Sequence, residues 1–353
     1  MRLKLIKPIL LVLVLLGGAL VPPGCAVRQT ASKPEKKLVI GLSMATLKEE
    51  RWYIDRDDFI SEAKRLGVRT ICDVCYENSD TQYSQVRDML AQGISVLVII
   101  PNDAYKAADC VSLAKAAGVK VISYDRLVMN ANVDLYVTFD SVKVGGLQAK
   151  AITQVKPRGN YVIVAGPTTD YNTVMLSRGI REVLNPYISR KEIKVVGDFS
   201  ETDWMADHAA QDIRKLLQDS TKIDAVIAEN DGLASGAITA LAENHLIPAV
   251  PVVGMDADLS ACQRIVEGQQ LMTVYKPIKE LAVRAADFAV DMAKGKSVKV
   301  PDRISDNKYD VPYSCIEPIA VTKDNMMSTV IKDGFHKTEE VYLNISKSSW
   351  PQP

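Results

Sequence analysis

Residues 95–123 read SVLVIIPNDAYKAADCVSLAKAAGVKVIS. Two apolar runs, 95–100 and 119–123, enclose a segment at 104–117 that we predict to be a helix. Neither run alternates polar with apolar residues, and such runs belong to parallel sheets that helices cover on both faces. The stretch therefore predicts a strand–helix–strand unit of a doubly wound α/β sheet.

The same unit recurs on both sides of this stretch. We predict further strands at 38–44, 68–74, 135–139, 161–166, 193–199, 223–229, 250–255 and 271–276. Apolar residues at helical spacing predict helices around 59–66, after a cap at Asp80, and at 171–184, 205–218, 232–244, 259–266 and 279–294. Two sets of units of similar size predict an α/β protein with two doubly wound parallel-sheet lobes.

Charged, amide and aromatic side chains follow the carboxyl ends of these strands, the edge at which open α/β sheets bind ligands. The residues that follow the strand ends are Arg51, Trp52, Pro101, Asn102, Asp103, Tyr124, Asp125, Arg126, Asp170, Asn172, Asp203, Trp204, Asn230, Asp231, Asp256 and Lys276. A sugar hydroxyl both donates and accepts hydrogen bonds, which suits carboxylates, amides and cations. The C–H face of a pyranose packs on flat aromatic rings. The set is therefore typical of a monosaccharide site.

Each of these side chains also has a simpler interpretation. A Trp in an α/β protein usually lies in the core, and an Asp after a strand is often a helix cap. Asn230 begins an Asn-Asp-Gly turn signal, and Lys276 before Pro277 fits a solvated linker. The recurrence of such residues at one topological place favours a common site.

Charge balance and histidine content argue against several function classes. Lys plus Arg number 43 and Asp plus Glu number 43, whereas nucleic-acid binding needs a basic excess. The three His have no metal-ligand spacing, and no G-x-S-x-G or phosphate-binding loop is present. Cys72 and Cys75 form a C-x-x-C inside a predicted strand, where we expect small buried thiols. We therefore expect no catalytic residue, metal, cofactor or nucleic-acid partner.

The N-terminus has the pattern of an export signal. Three basic residues precede an apolar run at 9–21 that is too short for a comfortable membrane span. Pro-Pro-Gly-Cys at 22–25 resembles a lipoprotein cleavage site, although Leu is more usual three positions before the cysteine. We predict a lipoprotein signal peptide at 1–25 with Cys25 lipidated, and a flexible tether at 26–37. A plain cleaved signal with an incidental cysteine is the alternative. The predicted location is the outer face of the cell membrane, or the periplasm.

Several motifs carry a family resemblance that spans roughly residues 38–340. They are ERWYIDRD (50–57), LVIIP (97–101), SYDR (123–126), FDSVKVGGLQAKA (139–151), GNYVIVAG (159–166), IDAVIAENDGLASGAI (223–238), GMDADL (254–259), MTVYKPI (272–278) and VIKDGFHK (330–337). Together they resemble the D-xylose-binding branch of the type I periplasmic binding proteins, which serve bacterial ABC sugar transporters.

The resemblance implies a division of the chain and of the site. The N-terminal lobe would comprise 38–140 plus 277–313 and the C-terminal lobe 141–276 plus 314–340, with a three-strand hinge between them and a tail at 341–353. Trp52 and Trp204 would sandwich the sugar ring. Hydroxyl groups would be bound from the N-terminal lobe by Arg51, Asp125 and Arg126, and from the C-terminal lobe and hinge by Asp170, Asn172, Asn230, Asp256 and Lys276.

The expected function is capture of a monosaccharide, most specifically D-xylose, by closure of the lobes, without chemistry on the sugar. The closed form would deliver the sugar to an ABC permease. One alternative is a co-receptor that presents the closed form to the outer domain of a membrane sensor histidine kinase. Another is a binder of a glucose-type hexose. A repressor is excluded because a signal segment, and no helix-turn-helix, precedes residue 38.

Overall fold

The computed structural model describes residues 38–351. Its strands are β1 (Val39–Met44), β2 (Arg69–Val74), β3 (Val96–Ile99), β4 (Lys120–Tyr124), β5 (Leu135–Phe139), β6 (Gly159–Ala165), β7 (Ile193–Ser200), β8 (Ala225–Ala228), β9 (Val252–Val253), β10 (Thr273–Tyr275), β11 (Asp302–Ser305), β12 (Asp310–Ile316) and β13 (Ile319–Val321). The predicted signal peptide (1–25), the predicted lipidation at Cys25 and the predicted tether (26–37) lie outside the described residues, as do residues 352–353.

Helices alternate with most of these strands. The α-helices are α1 (Arg51–Arg65), α2 (Ser79–Ala91), α3 (Ala108–Ala116), α4 (Ser141–Val155), α5 (Tyr171–Ser189), α6 (Ala206–Gln218), α7 (Asp231–Ala242), α8 (Leu259–Glu267), α9 (Ile278–Ala293) and α10 (Thr338–Val341). A π-helical turn spans Met327–Ile331, and a 3-10 turn spans Lys347–Ser349. None of the helices within residues 38–351 combines the length and the apolar character that a membrane crossing requires.

The first sheet has seven strands in the order β11-β12-β5-β4-β3-β1-β2. All neighbours are parallel except β11 and β12, and Ile40 of β1 is in register with Thr70 on one side and Val96 on the other. Helices α1 and α9 supply side chains to the cluster on one face, and α2 and α3 to a second cluster. Both faces of the sheet are therefore covered, as the apolar strands predict.

The second sheet repeats this winding. Its parallel strands lie in the order β7-β6-β8-β9, and a parallel bridge from Val253 to Met272 brings β10 next to β9. In each sheet the second strand of the unit lies on one side of the first strand and the third lies on the other. The direction of winding thus reverses between β1 and β3, and between β6 and β8, which makes each pair a topological switch point. The predicted doubly wound fold is confirmed.

The chain crosses between the sheets three times, and one boundary differs from our expectation. The first crossing follows β5 and the second follows β10, near the expected positions 140 and 277. The expected division at 313 is wrong, because β12 continues in the first sheet to Ile316 and β13 then pairs with β10 in the other lobe. Strands β11 to β13 were not predicted from the sequence.

Two local predictions also need correction. Residues 341–353 were expected to form a tail, but Val341 and Tyr342 are buried in a cluster with Cys262 and Tyr275 of the C-terminal lobe. The cap of α2 is Asn78, whose side chain accepts a hydrogen bond from the Thr81 N–H, and not Asp80 in its first turn. The five cysteines within the described residues are free, and Cys72 and Cys315 are only half-buried.

Helices α4 and α5 approach each other through glycines. A Cβ added at Gly145 would lie 2.1 Å from the carbonyl oxygen of Leu176, and one at Gly179 would lie 1.9 Å from that of Val142. No side chain fits at such distances, so this helix contact requires glycine at both positions. The neighbouring Gly146 differs, because its Cβ would meet nothing closer than 3.9 Å.

We expect Gly145→Ala to lower the free energy of unfolding by about 1–3 kcal/mol, because the added methyl group forces the two helices apart. Gly146→Ala is the matched control and is expected to be neutral or stabilising by up to about 1 kcal/mol, since Ala is the better helix former. Urea unfolding measures both effects. Equal destabilisation by the two substitutions would contradict this account of the helix contact.

Candidate ligand-binding site

A narrow cavity lies between the lobes, at the carboxyl ends of both sheets. All ten residues that the family resemblance implies line it: Arg51, Trp52, Asp125, Arg126, Asp170, Asn172, Trp204, Asn230, Asp256 and Lys276. The other residues at the strand ends, Pro101, Asn102, Asp103, Tyr124, Asp203 and Asp231, do not line it. Glu49 and Met255 also line the cavity and were not predicted. Glu49 lies three residues before Trp52, about one helical turn away, and this spacing is the signal by which it could have been found.

Most of these side chains lie at the ends of helices and strands. Arg51 and Trp52 are the first residues of α1, and Lys276 directly follows β10. Asp170 and Asn230 cap α5 and α7, because their side chains accept hydrogen bonds from the N–H groups of Asn172 (2.9 Å) and Leu233 (2.8 Å). The helix-cap interpretation is thus correct for Asp170, and Asn230, which the sequence suggested as a turn residue, is also a helix cap. Both roles are compatible with a place in the cavity wall.

Two carboxylates are presented by strained backbone. Asp125 has φ +59° and Asp256 has φ +98°, conformations that non-glycine residues rarely adopt. The Asp125 conformation is held on all sides: its N–H donates to Val137, and its carbonyl oxygen accepts from the hydroxyl groups of Tyr136 (2.8 Å) and Thr138 (2.7 Å). Backbone strain is usually retained only where it serves function, so the orientation of these two carboxylates is a feature of the site.

Arg51 joins the carboxylates of both lobes. It is 3% exposed, and its guanidinium donates to Asp55 at 3.0 Å and to Asp125 at 2.7 Å. A further nitrogen lies 3.7 Å from Asp256 of the C-terminal lobe. The hydroxyl group of Tyr124 donates to Asp55 and holds that carboxylate in place. Asp55, which does not line the cavity, therefore holds the Arg51 side chain in place, while Arg51 itself lines the cavity.

Three further polar contacts complete the wall. Arg126 and Asp170 approach to 2.7 Å from opposite lobes, and Lys276 approaches Asp256 to the same distance. The Asn172 amide donates to the Asp125 carboxylate at 3.3 Å, again across the cleft. The two half-sites are thus in contact, which is the arrangement of a closed binding protein.

Burial and ion pairing have opposite effects on the pKa values of these carboxylates. Burial alone would raise the pKa of Asp125, but the positive charges of Arg51, Lys276 and Arg126 outweigh it, so the pKa is lowered. For Asp170, burial outweighs the attraction of Arg126, and the pKa is raised. A ligand hydroxyl in this cavity would therefore meet one firmly ionised carboxylate and another whose charge is costly to maintain.

The two tryptophans are both core residues and cavity residues. Trp52 is 2% exposed and Trp204 is 7% exposed, and each belongs to the hydrophobic cluster of its own lobe. The guanidinium of Arg51 lies 4.3 Å from the ring centroid of Trp52, and the backbone of Gly166 packs against the ring of Trp204. Neither indole N–H, though buried, completes a hydrogen bond of good geometry within residues 38–351. Buried indole donors usually have one, which suits a site that binds a polar ligand.

The comparisons with known proteins agree with this geometry. A family model described as periplasmic binding protein domain matches residues 40–297. This chain belongs to the periplasmic binding protein family. The D-xylose-binding periplasmic protein of Haemophilus influenzae is 43% identical over 314 residues, which are 89% of this chain and 95% of that protein. The D-xylose-binding periplasmic protein of Escherichia coli strain K12 is 42% identical over 307 residues, 87% of this chain and 93% of that protein.

A solved structure extends the comparison to this periplasmic binding protein's fold. The carbohydrate transporter solute-binding protein from Chloroflexus aurantiacus, in complex with D-glucose, superimposes with a TM-score of 0.82 at 28% identity. The alignment covers 87% of this chain and 98% of that chain. The resemblance that the motifs indicated is therefore confirmed, and the relatives are sugar-binding proteins. Within residues 38–351, no group of three or more His, Cys, Asp or Glu side chains could hold a metal ion.

Glu229 lies behind the cavity wall and contacts residues that position Trp204. It is fully buried, and its carboxylate accepts hydrogen bonds from the Gly166 N–H at 3.0 Å and from the Ser177 hydroxyl at 2.7 Å. Because Gly166 packs on the Trp204 ring, Glu229 holds the strand end against which that ring rests. Burial raises the pKa of Glu229 to about 8.

The raised pKa predicts a pH-dependent stability. Between about pH 4.5 and 8 the folded protein binds a proton at Glu229 that the unfolded chain releases. This contribution to stability is complete below that window and is lost as the pH rises through it, by about 1.4 kcal/mol per pH unit. The Gln side chain of Glu229→Gln does not titrate. We therefore expect the melting temperature of this variant, relative to that of the wild type, to increase from pH 5 to pH 9.

The matched control is Glu243→Gln, a surface carboxylate whose pKa is lowered by hydrogen bonding to Arg214. Its effect on the melting temperature should not vary above pH 5. If the difference between Glu229→Gln and wild type were also independent of pH, the assignment of a raised pKa to Glu229 would be wrong.

Proposed function

We propose that this protein binds one molecule of D-xylose in the cavity between its lobes and delivers it to an ABC permease, without altering the sugar. The observation that carries the proposal is the ring of buried carboxylates, amides and cations from both lobes, with Trp52 and Trp204 in the same cavity. Supporting it, both curated relatives described above are D-xylose-binding proteins.

Binding and closure are coupled in this proposal. Contacts at the cleft edge join the lobes, among them a hydrogen bond from the Ala104 N–H to the Thr169 carbonyl oxygen at 2.8 Å. Lys48 of the N-terminal lobe lies 3.7 Å from Asp203 of the C-terminal lobe. A sugar that bridges the half-sites adds its own hydrogen bonds to these contacts and shifts the population toward the closed form. Exclusion of water then strengthens the buried polar contacts.

Selectivity follows from the cost of unpaired charge. An epimer that turns one hydroxyl away would desolvate a buried group such as Asp125 or Arg126 without supplying the hydrogen bond that the correct sugar makes to it. A glucose-type hexose is the second candidate ligand, because the structurally similar protein from Chloroflexus aurantiacus was solved with D-glucose. Glucose differs from xylose by one hydroxymethyl group, so the choice depends on packing at a single edge of the ring.

Two kinds of membrane protein could bind the closed form. The permease is favoured here because the solved relative is described as a transporter's solute-binding protein. A sensor histidine kinase would use the same closed form as a signal and not as a delivery step. The genes that flank this one distinguish the two, since a permease and an ATPase mark transport and a kinase marks sensing.

The site predicts the effect of three substitutions. Trp52→Ala, Trp204→Ala and Asp256→Ala should each weaken D-xylose binding at least tenfold in titration calorimetry, since each removes buried contact or leaves a cation unpaired. Trp350→Ala is the control: this third tryptophan packs on Tyr342 in the C-terminal lobe, outside the cavity, and its loss should leave the affinity unchanged.

The same calorimetry, run with a panel of aldopentoses and aldohexoses, ranks the ligands. Tightest binding of D-xylose supports the proposal, and tightest binding of D-glucose replaces the ligand while keeping the site. Unchanged affinity in all three cavity variants, or no binding of any aldose, would refute the site. Conversion of any sugar during prolonged incubation would refute a purely binding function.

We also propose that Cys25 carries a lipid and holds the protein at the outer face of the membrane. Support comes from the Gly24-Cys25 pair after the apolar run at 9–21. In the native host we expect the mature N-terminus to be a diacylated Cys25 by mass spectrometry, and Cys25→Ser to release the protein from the membrane fraction. An unmodified Cys25 in the mature wild-type protein would rule out the anchor.

A further inference from the structure

The cavity contains one more carboxylate than it has cations. Four acids and three bases line it. Asp125 pairs with Arg51, Asp170 with Arg126, and Asp256 with Lys276, at 2.7 Å in each case. The fourth acid is Glu49, which makes no ion pair within 4 Å in the part of the chain that the structure describes. The wall of the cavity thus holds one acceptor that the protein itself does not neutralise.

The geometry of Glu49 directs this acceptor inward. Glu49 as a residue is half-buried, but its Oε2 atom is inaccessible to solvent. The residue stands one turn before Trp52, whose N–H donates to the Glu49 carbonyl oxygen at 3.2 Å. The indole N–H of Trp52 is likewise buried. The Glu49 carboxylate and the Trp52 indole N–H therefore face each other in the same cavity wall, and the indole N–H opposes the rise that burial causes in the pKa of Glu49. Neither Oε2 of Glu49 nor the indole N–H completes a hydrogen bond of good geometry within residues 38–351.

The electrostatic setting agrees with this geometry. Burial raises the pKa of Glu49, and the attraction of Arg126 opposes it only in part. Asp256 across the cleft repels the charged form further. A hydroxyl group that donates to the carboxylate would relieve this cost, since hydrogen bonds to a charged acceptor are about twice as strong as neutral ones.

We propose that Glu49 is a further sugar-binding residue, whose carboxylate accepts a hydrogen bond from one ring hydroxyl of the ligand. A hydroxyl group is both donor and acceptor, so the same oxygen can accept from the indole N–H of Trp52. Glu49 then selects for a ligand that places a hydroxyl at this point of the N-terminal lobe. This inference rests on the proposed function, because it concerns the same cavity and a sugar ligand.

The test combines variants of the protein with variants of the sugar. Glu49→Leu removes the acceptor, and Glu49→Gln keeps one of similar size without the charge. The control is Glu62→Gln in α1, eleven residues after the start of that helix and outside the cavity lining, where Glu62 pairs with Arg65. Calorimetry measures the affinity of each protein for D-xylose and for the four analogues that each lack one ring hydroxyl.

We expect Glu49→Leu to bind D-xylose about tenfold or more weakly than wild type, and Glu49→Gln about threefold or more, with Glu62→Gln unchanged. For one analogue, the loss of affinity from the substitution should not add to the loss from the missing hydroxyl. Glu49→Leu and wild type should bind this analogue with nearly equal affinity, because the hydroxyl that Glu49 contacts is absent. That analogue identifies the hydroxyl.

Other outcomes overturn the inference. If both Glu49 variants melt like the wild type and bind D-xylose as tightly, Glu49 does not contact the sugar. If the losses multiply for all four analogues, Glu49 acts on the fold or on lobe closure and not on a hydroxyl. Failure of the proposed function is distinguishable from both, because the wild-type protein itself would then bind no aldose.

Discussion

The buried guanidinium of Arg51 is the interaction on which the rest of the site depends. It neutralises Asp55 and Asp125 of its own lobe and approaches Asp256 of the other. Charges taken out of water are tolerated only when paired, and a lost partner leaves an uncompensated charge in low dielectric. The cavity therefore cannot be altered one residue at a time without affecting its neighbours.

Topology explains why so many charges meet at one place. Both sheets are wound in the same sense around their first strand, so each has a switch point at which neighbouring loops diverge and open a crevice. The three crossings hold the two crevices face to face. Helices such as α4 and α5, which touch through Gly145 and Gly179, keep the outer layers thin and close-packed.

Function is placed here at some cost to stability. The backbone at Asp125 and Asp256 is strained, and Glu229 is buried near Trp204 with a raised pKa. Among the residues that the structure describes, no acceptor completes a hydrogen bond with either indole N–H of the cavity. A protein selected for stability alone would satisfy such groups internally. Their concentration around one cavity is consistent with a pocket whose polar groups are completed by the hydroxyl groups of a sugar.

The apolar runs of the sequence were sufficient for the doubly wound fold, and the family resemblance of its motifs selected ten residues of the cavity wall from the larger set at the strand ends. Apolar runs identify parallel strands by local pattern, and parallel strands bring their carboxyl ends to one edge wherever the chain is wound this way. Tertiary structure decided which of these charges pair: Arg126 meets Asp170, and Lys276 meets Asp256, only because the lobes face each other. It also showed that Glu49 lines the cavity without an ion pair to any residue of 38–351, that the third crossing follows Ile316 and not residue 313, and that Val341 and Tyr342 are buried. These features depend on distances between segments far apart in the chain, which no local pattern records.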